Sequence, residues 1–173
     1  MENTIKISKV VIHEKYVNRN DIAILILDSP VNYTMYVRPA CLPTPSDDIA
    51  AWTTSSKLCS ITGWGKLKGG LWGEKPQILQ EANVPLAIDQ ECRRKYGGIT
   101  KDMICAGVEG GEKGTCQGDS GGPLVCQRKD GRYVLVGITS WGRGCAQTYG
   151  IYTEVHEFMP WIRNKLRQHN INI

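Results

Sequence analysis

The sequence predicts an all-β fold closed by a single C-terminal α-helix. Two observations carry that expectation, and a third sets the compartment. Short runs rich in Ile, Val, Thr and Tyr recur along the chain, separated by Gly- or Pro-containing turns. Only one longer segment has helical periodicity: Phe158, Ile162 and Leu166 recur at four-residue spacing with Trp161 beside them. Seven cysteines are spread through the chain without a Cys-x-x-Cys pair, which suits disulfides better than a zinc site. Many short strands and one helix imply a β-barrel or sandwich.

In chain order, Ile5–His13 and Asp21–Leu27 read as strands. Thr44–Ser56 reads as a polar connector containing Pro45, Asp47 and Asp48. Leu58–Trp64 is an alternating strand ending at Gly63-Trp64-Gly65. Lys66–Lys75, with Gly69, Gly70 and Gly73, reads as a surface loop, and Gln77–Ala87 as a strand. Asp89–Lys95 is a short helix with Asp89 as its cap. Met103–Ala106, Gly122–Arg128, Tyr133–Trp141 and Gly150–Val155 are strands, with Asp130-Gly131 as a hairpin turn. The helix runs from about Glu157 to about Gln168.

A chain of 173 residues can hold one domain with a real core, or two small ones sharing an interface. Its 22% charged and 41% apolar residues make it globular rather than disordered. The net charge of +4 is mild and its basic residues are scattered, apart from Arg93-Arg94-Lys95 and the tail helix, so no nucleic-acid partner is expected. No run approaches the roughly 18 apolar residues of a membrane span, so no membrane partner is expected either. Neither a metal nor a cofactor is expected. The cysteines point to an oxidising, extracellular setting. Met1–Val11 lacks the basic start, apolar run and cleavage site of a signal peptide. Together these imply a chain that begins inside a longer secreted protein. Asn32-Tyr33-Thr34 is a glycosylation sequon in that setting.

The stretch CQGDSGGPLVC, Cys116–Cys126, carries the chemistry. As a turn, it has more glycine than a turn needs. Gly118, Gly121 and Gly122 around Asp119 and Ser120 suggest a backbone whose N–H groups must face something that comes close. A serine hydroxyl is a weak nucleophile that needs a base, an acid behind that base, and donors where a carbonyl oxygen turns negative. The N–H groups of Gly118 and Ser120 are the candidate donors. The same residues match G-x-S-x-G, the strand-to-helix elbow of α/β-hydrolases. That fold requires a helix directly after the serine, whereas Gly121-Gly122-Pro123 and β-type sequence follow. It also requires an acid and then a histidine downstream. Asp130 and His156 meet that order formally, without the alternating strands and helices. The other template runs histidine, aspartate, serine. Asp21, at the head of an apolar strand, is its candidate acid.

NDIAIL, CSITGWG, TCQGDSGGPLVC and ITSWGRGC…YGIYTEV, in this order, resemble the chymotrypsin-type serine proteases from about Val10 to about Leu166. The resemblance implies a chymotrypsin-like double β-barrel. Residues 1–43 would be a remnant of the first barrel carrying the triad aspartate. Residues 44–56 would be the inter-barrel connector, and 57–173 a complete second barrel with the C-terminal helix. It implies Asp21 and Ser120 as catalytic residues, and Gly118 and Ser120 as the oxyanion hole. It also implies disulfides Cys59–Cys126, Cys92–Cys105 and Cys116–Cys145. Cys41, in Arg-Pro-Ala-Cys-Leu-Pro, would be left unpaired, matching the position that in many relatives ties the catalytic domain to an upstream segment.

The family's catalytic histidine, in an Ala-Ala-His-Cys context before the aspartate, has no counterpart here, nor does the Ile-Val-Gly-Gly start. In relatives the freed amine of that start pairs with the carboxylate equivalent to Asp119 and orders the oxyanion hole. His13 reads as surface or strand packing, and His156 and His169 as solvated residues flanking the helix. The chain alone is therefore expected to be a nearly inactive part of a serine endopeptidase, with a non-catalytic binding or regulatory homologue as the alternative. Gly114 stands where trypsin-like members carry the aspartate that holds Lys or Arg, with Thr115 next. Gly142 and Gly150 match the pocket walls, and Ser140-Trp141-Gly142 the segment that pairs with the substrate backbone. A neutral, open pocket favours an apolar or aromatic side chain over a basic one, because a buried cation would lack a counter-charge. Glu112 could approach it if the preceding loop shifted. Tyr149 stands where many relatives have proline. Some relatives with tyrosine there bind sodium nearby, which is not expected here.

Overall fold

The computed structural model describes residues 4–17, 19–54, 57–70 and 73–171. Ser55 and Ser56 of the expected connector, and Leu71 and Trp72 of the expected loop, lie outside them. The chain forms two compact units, one of residues 1–39 with 158–173 and one of residues 40–157.

In the first unit, β1 (Ile7–Ile12) and β2 (Ala23–Leu27) pair antiparallel, with Val10 opposite Leu25 and Val11 opposite Ile24. β1 reads Ile-Ser-Lys-Val-Val-Ile and β2 Ala-Ile-Leu-Ile-Leu, both rich in the β-branched residues that suit a pleated strand. The register slips between Ile7 and Lys9, and there the Ser8 hydroxyl donates to the Ile26 carbonyl at 3.0 Å. Asp21 lies two residues before β2, after Asn20 in the left-handed region at φ 52°. The turn closes where Ile22 N–H donates to Asn20 O at 2.9 Å and His13 N–H to Ile22 O at 3.1 Å.

The second unit opens with a difference from expectation. Its connector contains a short helix, α1 (Ile49–Thr54). Asp48 starts it: its Oδ1 accepts the Ala51 N–H at 2.9 Å, satisfying one of the donors a helix start leaves bare. There follow β3 (Leu58–Gly63), β4 (Gln80–Pro85), α2 (Asp89–Lys95), β5 (Met103–Ala106), β6 (Pro123–Gln127), β7 (Tyr133–Gly142) and β8 (Gly150–Glu154). The cap of α2 is Ile88, one residue before the expected Asp89, and carries no side-chain hydrogen bond. Its last turn holds Arg93, Arg94 and Lys95, where the helix dipole favours cations.

The six strands form one antiparallel sheet in the order β4-β3-β6-β7-β8-β5. Its ends meet. Leu86 pairs with Ala106, Ala87 N–H donates to Cys105 O at 2.9 Å, and Gly107 N–H to Pro85 O at 2.8 Å. The sheet thus curls back on itself and leaves no free edge at that seam. Its inward residues, among them Ile61, Val84, Leu124, Val134, Val136 and Tyr152, form one buried cluster. A second cluster of Cys92, Tyr96, Ile99, Cys105 and Ile151 lies under α2 and β5. Asp47 is buried and takes both Arg128 Nε (2.7 Å) and Nη2 (2.6 Å), a two-pronged pair that ties the connector to the end of β6.

The final helix, α3 (Val155–Gln168), starts two residues before the expected Glu157 and contains Pro160. Val155, Phe158, Met159 and Ile162 are its buried hydrophobic residues. In the first unit the His13 ring packs on Phe158 and Trp161, with centroids 5.5 and 4.9 Å apart. Glu14 accepts the Trp161 indole N–H at 2.9 Å and pairs with Lys165. His13 is thus a packing residue.

Candidate active site

The bend at residues 116–122 is pinned from both sides. Gly121 N–H donates to Thr139 O at 2.8 Å, and Thr139 N–H to Gly122 O at 2.9 Å, so β7 holds the bend. Asp119 N–H donates to Cys116 O at 3.0 Å, and Gly122 N–H to Asp119 O at 2.8 Å. The amides of Gly118 and Ser120 have no acceptor among the described residues. Both residues are exposed. A tight bend with two free, outward donors can bind an anionic oxygen. Gly118 is at φ +103°, and a Cβ there would sit 3.2 Å from Gly65 Cα, so no other residue fits without strain.

The Asp119 carboxylate turns inward. Its Oδ1 accepts Gly65 N–H at 2.8 Å and its Oδ2 accepts Cys116 N–H at 2.9 Å. A Cβ on Gly63 would lie 2.0 Å from Asp119 Oδ1, and one on Gly65 only 2.4 Å from its carboxyl carbon. Gly63-Trp64-Gly65 is therefore a cradle for this carboxylate. In the sequence it reads as the end of a strand and as part of the CSITGWG motif, without a role for its glycines. Spaced glycines that end a buried strand were the signal available.

Beside Ser120 lies a cleft of about 200 Å³, lined by Thr115, Ser140, Trp141, Gly142, Thr148, Tyr149 and Gly150 among others. It brings together Ser120 and five of the six pocket residues expected from sequence. Gly114 instead lines a neighbouring cleft of about 270 Å³, with Gly63, Gly65, Asp119 and Glu112. A Cβ at Gly114 would come within 3.0 Å of Ala146 Cα. Gly142 stands opposite Gly150 in the β7–β8 ladder, which leaves a slot without side chains between the strands. Trp141 is braced from behind by Tyr96, edge-on at 5.4 Å. Tyr96 is 1% exposed and donates its hydroxyl to Tyr149 O at 2.9 Å. Sequence reading does not single out Tyr96, because nothing local marks a tyrosine 45 positions away as the wall's support.

Cys59 bonds to Cys126, Cys92 to Cys105 and Cys116 to Cys145, and Cys41 is a half-buried free thiol. Cys59 and Cys126 face each other in the β3–β6 register. Cys116–Cys145 ties the bend to the loop after β7. Within its unit the Ser120 hydroxyl bonds to no described residue. Asp21 belongs to the other unit, where it is half-buried. Among the described residues, no helix is long and apolar enough to cross a membrane.

Comparison with known proteins agrees with this geometry. The family model described as Trypsin matches residues 1–162. The chain is 39% identical over 172 residues to serine protease filzig of Drosophila melanogaster, covering 93% of this chain and 10% of that protein. It is 35% identical over 182 residues to ovochymase-2 of Mus musculus, covering 93% of this chain and 29% of that protein. The chain thus spans less than a third of either relative's length. Given a closed six-stranded sheet, a smaller two-stranded one, a C-terminal helix and these matches, the chain belongs to the trypsin family of chymotrypsin-like serine proteases.

Proposed function

We propose that this chain is the larger part of the catalytic domain of a secreted serine endopeptidase. Residues 1–43 are a partial first barrel, 44–56 the connector and 57–173 the second barrel. Ser120 is the nucleophile, and the Gly118 and Ser120 amides are the oxyanion hole. Asp21 orients an imidazole that polypeptide outside these residues supplies. In the reaction, Ser120 Oγ attacks the scissile carbonyl carbon and passes its proton to that imidazole. The proton then goes to the departing amine, and water hydrolyses the resulting ester. The observation that carries this reading is the pair of unbonded, exposed amides on either side of Asp119.

Loss of the histidine alone costs on the order of 10⁶ in turnover in the subtilisin comparison, so the isolated chain is nearly inactive. Incubation with a fluorophosphonate serine probe tests this. Slow labelling confined to Ser120 is expected, and fast labelling would contradict it. In a protein that carries the upstream part, a peptide-library profile should favour apolar or aromatic side chains before the cut. A profile dominated by Arg or Lys would overturn the neutral-pocket reading. Cys41 joins an upstream segment, so mass spectrometry of the secreted protein should find it disulfide-bonded.

A second reading is favoured by one fact: no histidine of this chain stands in the motif position. On that reading the protein is a binding or regulatory homologue that keeps Ser120 and Asp21. The 5′ region of the transcript separates the two. An encoded Ala-Ala-His-Cys supports the enzyme, and its absence supports the homologue.

A further inference from the structure

The sequence holds one Asn-x-Ser/Thr triplet, Asn32-Tyr33-Thr34, and the proposed function gives it no role. It lies in the connection from β2 to Cys41, where residues 28–40 form neither helix nor strand. All three of its residues are exposed. The Asn32 side chain bonds to no described residue, so its amide can be modified without loss of a contact. Thr34 closes the turn that follows. Its N–H donates to Val37 O at 3.0 Å, and its Oγ1 accepts the N–H groups of Tyr36 and Val37, each at 3.1 Å. The turn turns its apolar residues outward: Tyr33 is 67%, Met35 78% and Tyr36 91% exposed. Apolar residues scattered singly on a surface need no explanation, but three among four consecutive residues do. An exposed loop without a hydrogen-bonded ladder is also where proteolytic nicking concentrates.

We infer that Asn32 carries an N-linked oligosaccharide, and that this glycan covers the Tyr33–Tyr36 strip and shields it from proteases that cut after aromatic residues. In the transfer, Asn32 Nδ2 bonds to C1 of the first sugar of a lipid-diphosphate-linked oligosaccharide. The bond from C1 to the diphosphate oxygen breaks, the lipid diphosphate leaves with the electron pair, and one amide proton goes to a base of the transferase. Sugar suits the strip, because its C–H groups pack on the negative face of an aromatic ring while its hydroxyls stay in water. Tyr36 is four residues from Asn32, at most about 14 Å along an extended chain and within reach of a few linked sugars. The inference rests on the secreted setting of the proposed function and on no step of its catalysis.

The test uses the protein collected from the medium of cells that secrete it. Digestion with peptide-N-glycosidase in ¹⁸O-water should return residue 32 as aspartate labelled with ¹⁸O. Thr34→Ser, which keeps the hydroxyl, should keep the glycan. Asn32→Gln should remove it and, since it breaks no bond of the turn, leave the fold and the thermal stability of the deglycosylated protein unchanged. Brief digestion with a protease that cuts after aromatic residues then compares the glycosylated protein, the deglycosylated protein and Asn32→Gln. Cleavage after Tyr33 and Tyr36 should be several-fold faster in the last two. Cleavage after Tyr16, half-exposed and outside this loop, should not change. An unmodified Asn32 on the secreted protein overturns the inference and leaves the endopeptidase reading intact. Equal cleavage with and without the glycan overturns the shielding, as does a strip that stays protected in Asn32→Gln, which would mean that polypeptide covers it. A protein found only in the cytosol overturns both the inference and the secreted setting.

Discussion

Asp119 Oδ1 accepts the Gly65 N–H at 2.8 Å, and no side chain can be placed at Gly65 without entering that carboxylate. The relationship spans 54 positions and joins the end of β3 to the residue before Ser120. It predicts that Gly65→Ala destabilises the chain by about 1–3 kcal/mol, the usual cost of overpacking. Gly97 is the control: nothing lies within 4 Å of a Cβ there, so Gly97→Ala should be neutral or slightly stabilising. Urea midpoints of the two variants decide this. Similar midpoints would mean that the cradle is not tight.

Asp119→Asn should cost about 1–3 kcal/mol by the same measurement. Each carboxylate oxygen accepts a separate backbone N–H, from Gly65 and from Cys116. An amide has one oxygen, so its NH₂ must face one of those donors. Ser120→Ala should stay within about 0.5 kcal/mol of the parent, because Ser120 is exposed and bonds to nothing in its unit. The contrast assigns the bend's stability to Asp119 and leaves Ser120 free for chemistry.

The Asp47–Arg128 pair gives a pH dependence. The hydrogen bond from Arg128 holds the Asp47 carboxyl well below the usual carboxylate range, against the opposing effect of burial. A carboxyl whose folded pKa is depressed stabilises the fold at pH values above its unfolded value, about 3.9. That stability is lost as pH falls below it toward the folded pKa. The contribution should therefore be flat from pH 7 to about 5 and fade below about 4. Asp47→Asn should cost about 3 kcal/mol at pH 7, the lower end for a broken buried pair, since 17% of the Arg128 side chain is exposed. Its deficit should shrink in acid. A deficit constant from pH 7 to pH 2 would show that the charge on Asp47 is not what stabilises.

Disulfide removal should follow loop length. Cys92–Cys105 closes a separation of 13 residues and Cys59–Cys126 one of 67. Chain-entropy reasoning gives about 3 kcal/mol for the first and about 4 for the second. Replacement of each pair by alanine, followed by guanidinium unfolding without reductant, measures the order. A larger loss at Cys92–Cys105 would show that local packing under α2 outweighs chain entropy.

The strands around the barrel were legible because alternation is a property of neighbours in sequence. So was the Cys116–Cys126 bend, because glycines beside a serine need a backbone reason wherever the chain goes. The helix α1 was less legible. Asp48 is a capping signal, but the prolines and acids around it read equally well as a connector. Asp47 was seen only as a connector residue, since its partner Arg128 lies 81 positions away. The same holds for Tyr96 behind Trp141, which in sequence is one more tyrosine after a short helix.

By itself the sequence determined which segments pair as strands, which residues make the nucleophile bend and how many thiols there are to pair. Local spacing and backbone freedom settle those. Only the tertiary structure decided that the sheet closes at Leu86–Ala106, that Gly63 and Gly65 enclose Asp119, and that Tyr96 stands behind Trp141. Those depend on which distant side chains share one buried volume, and no periodicity along the chain records that.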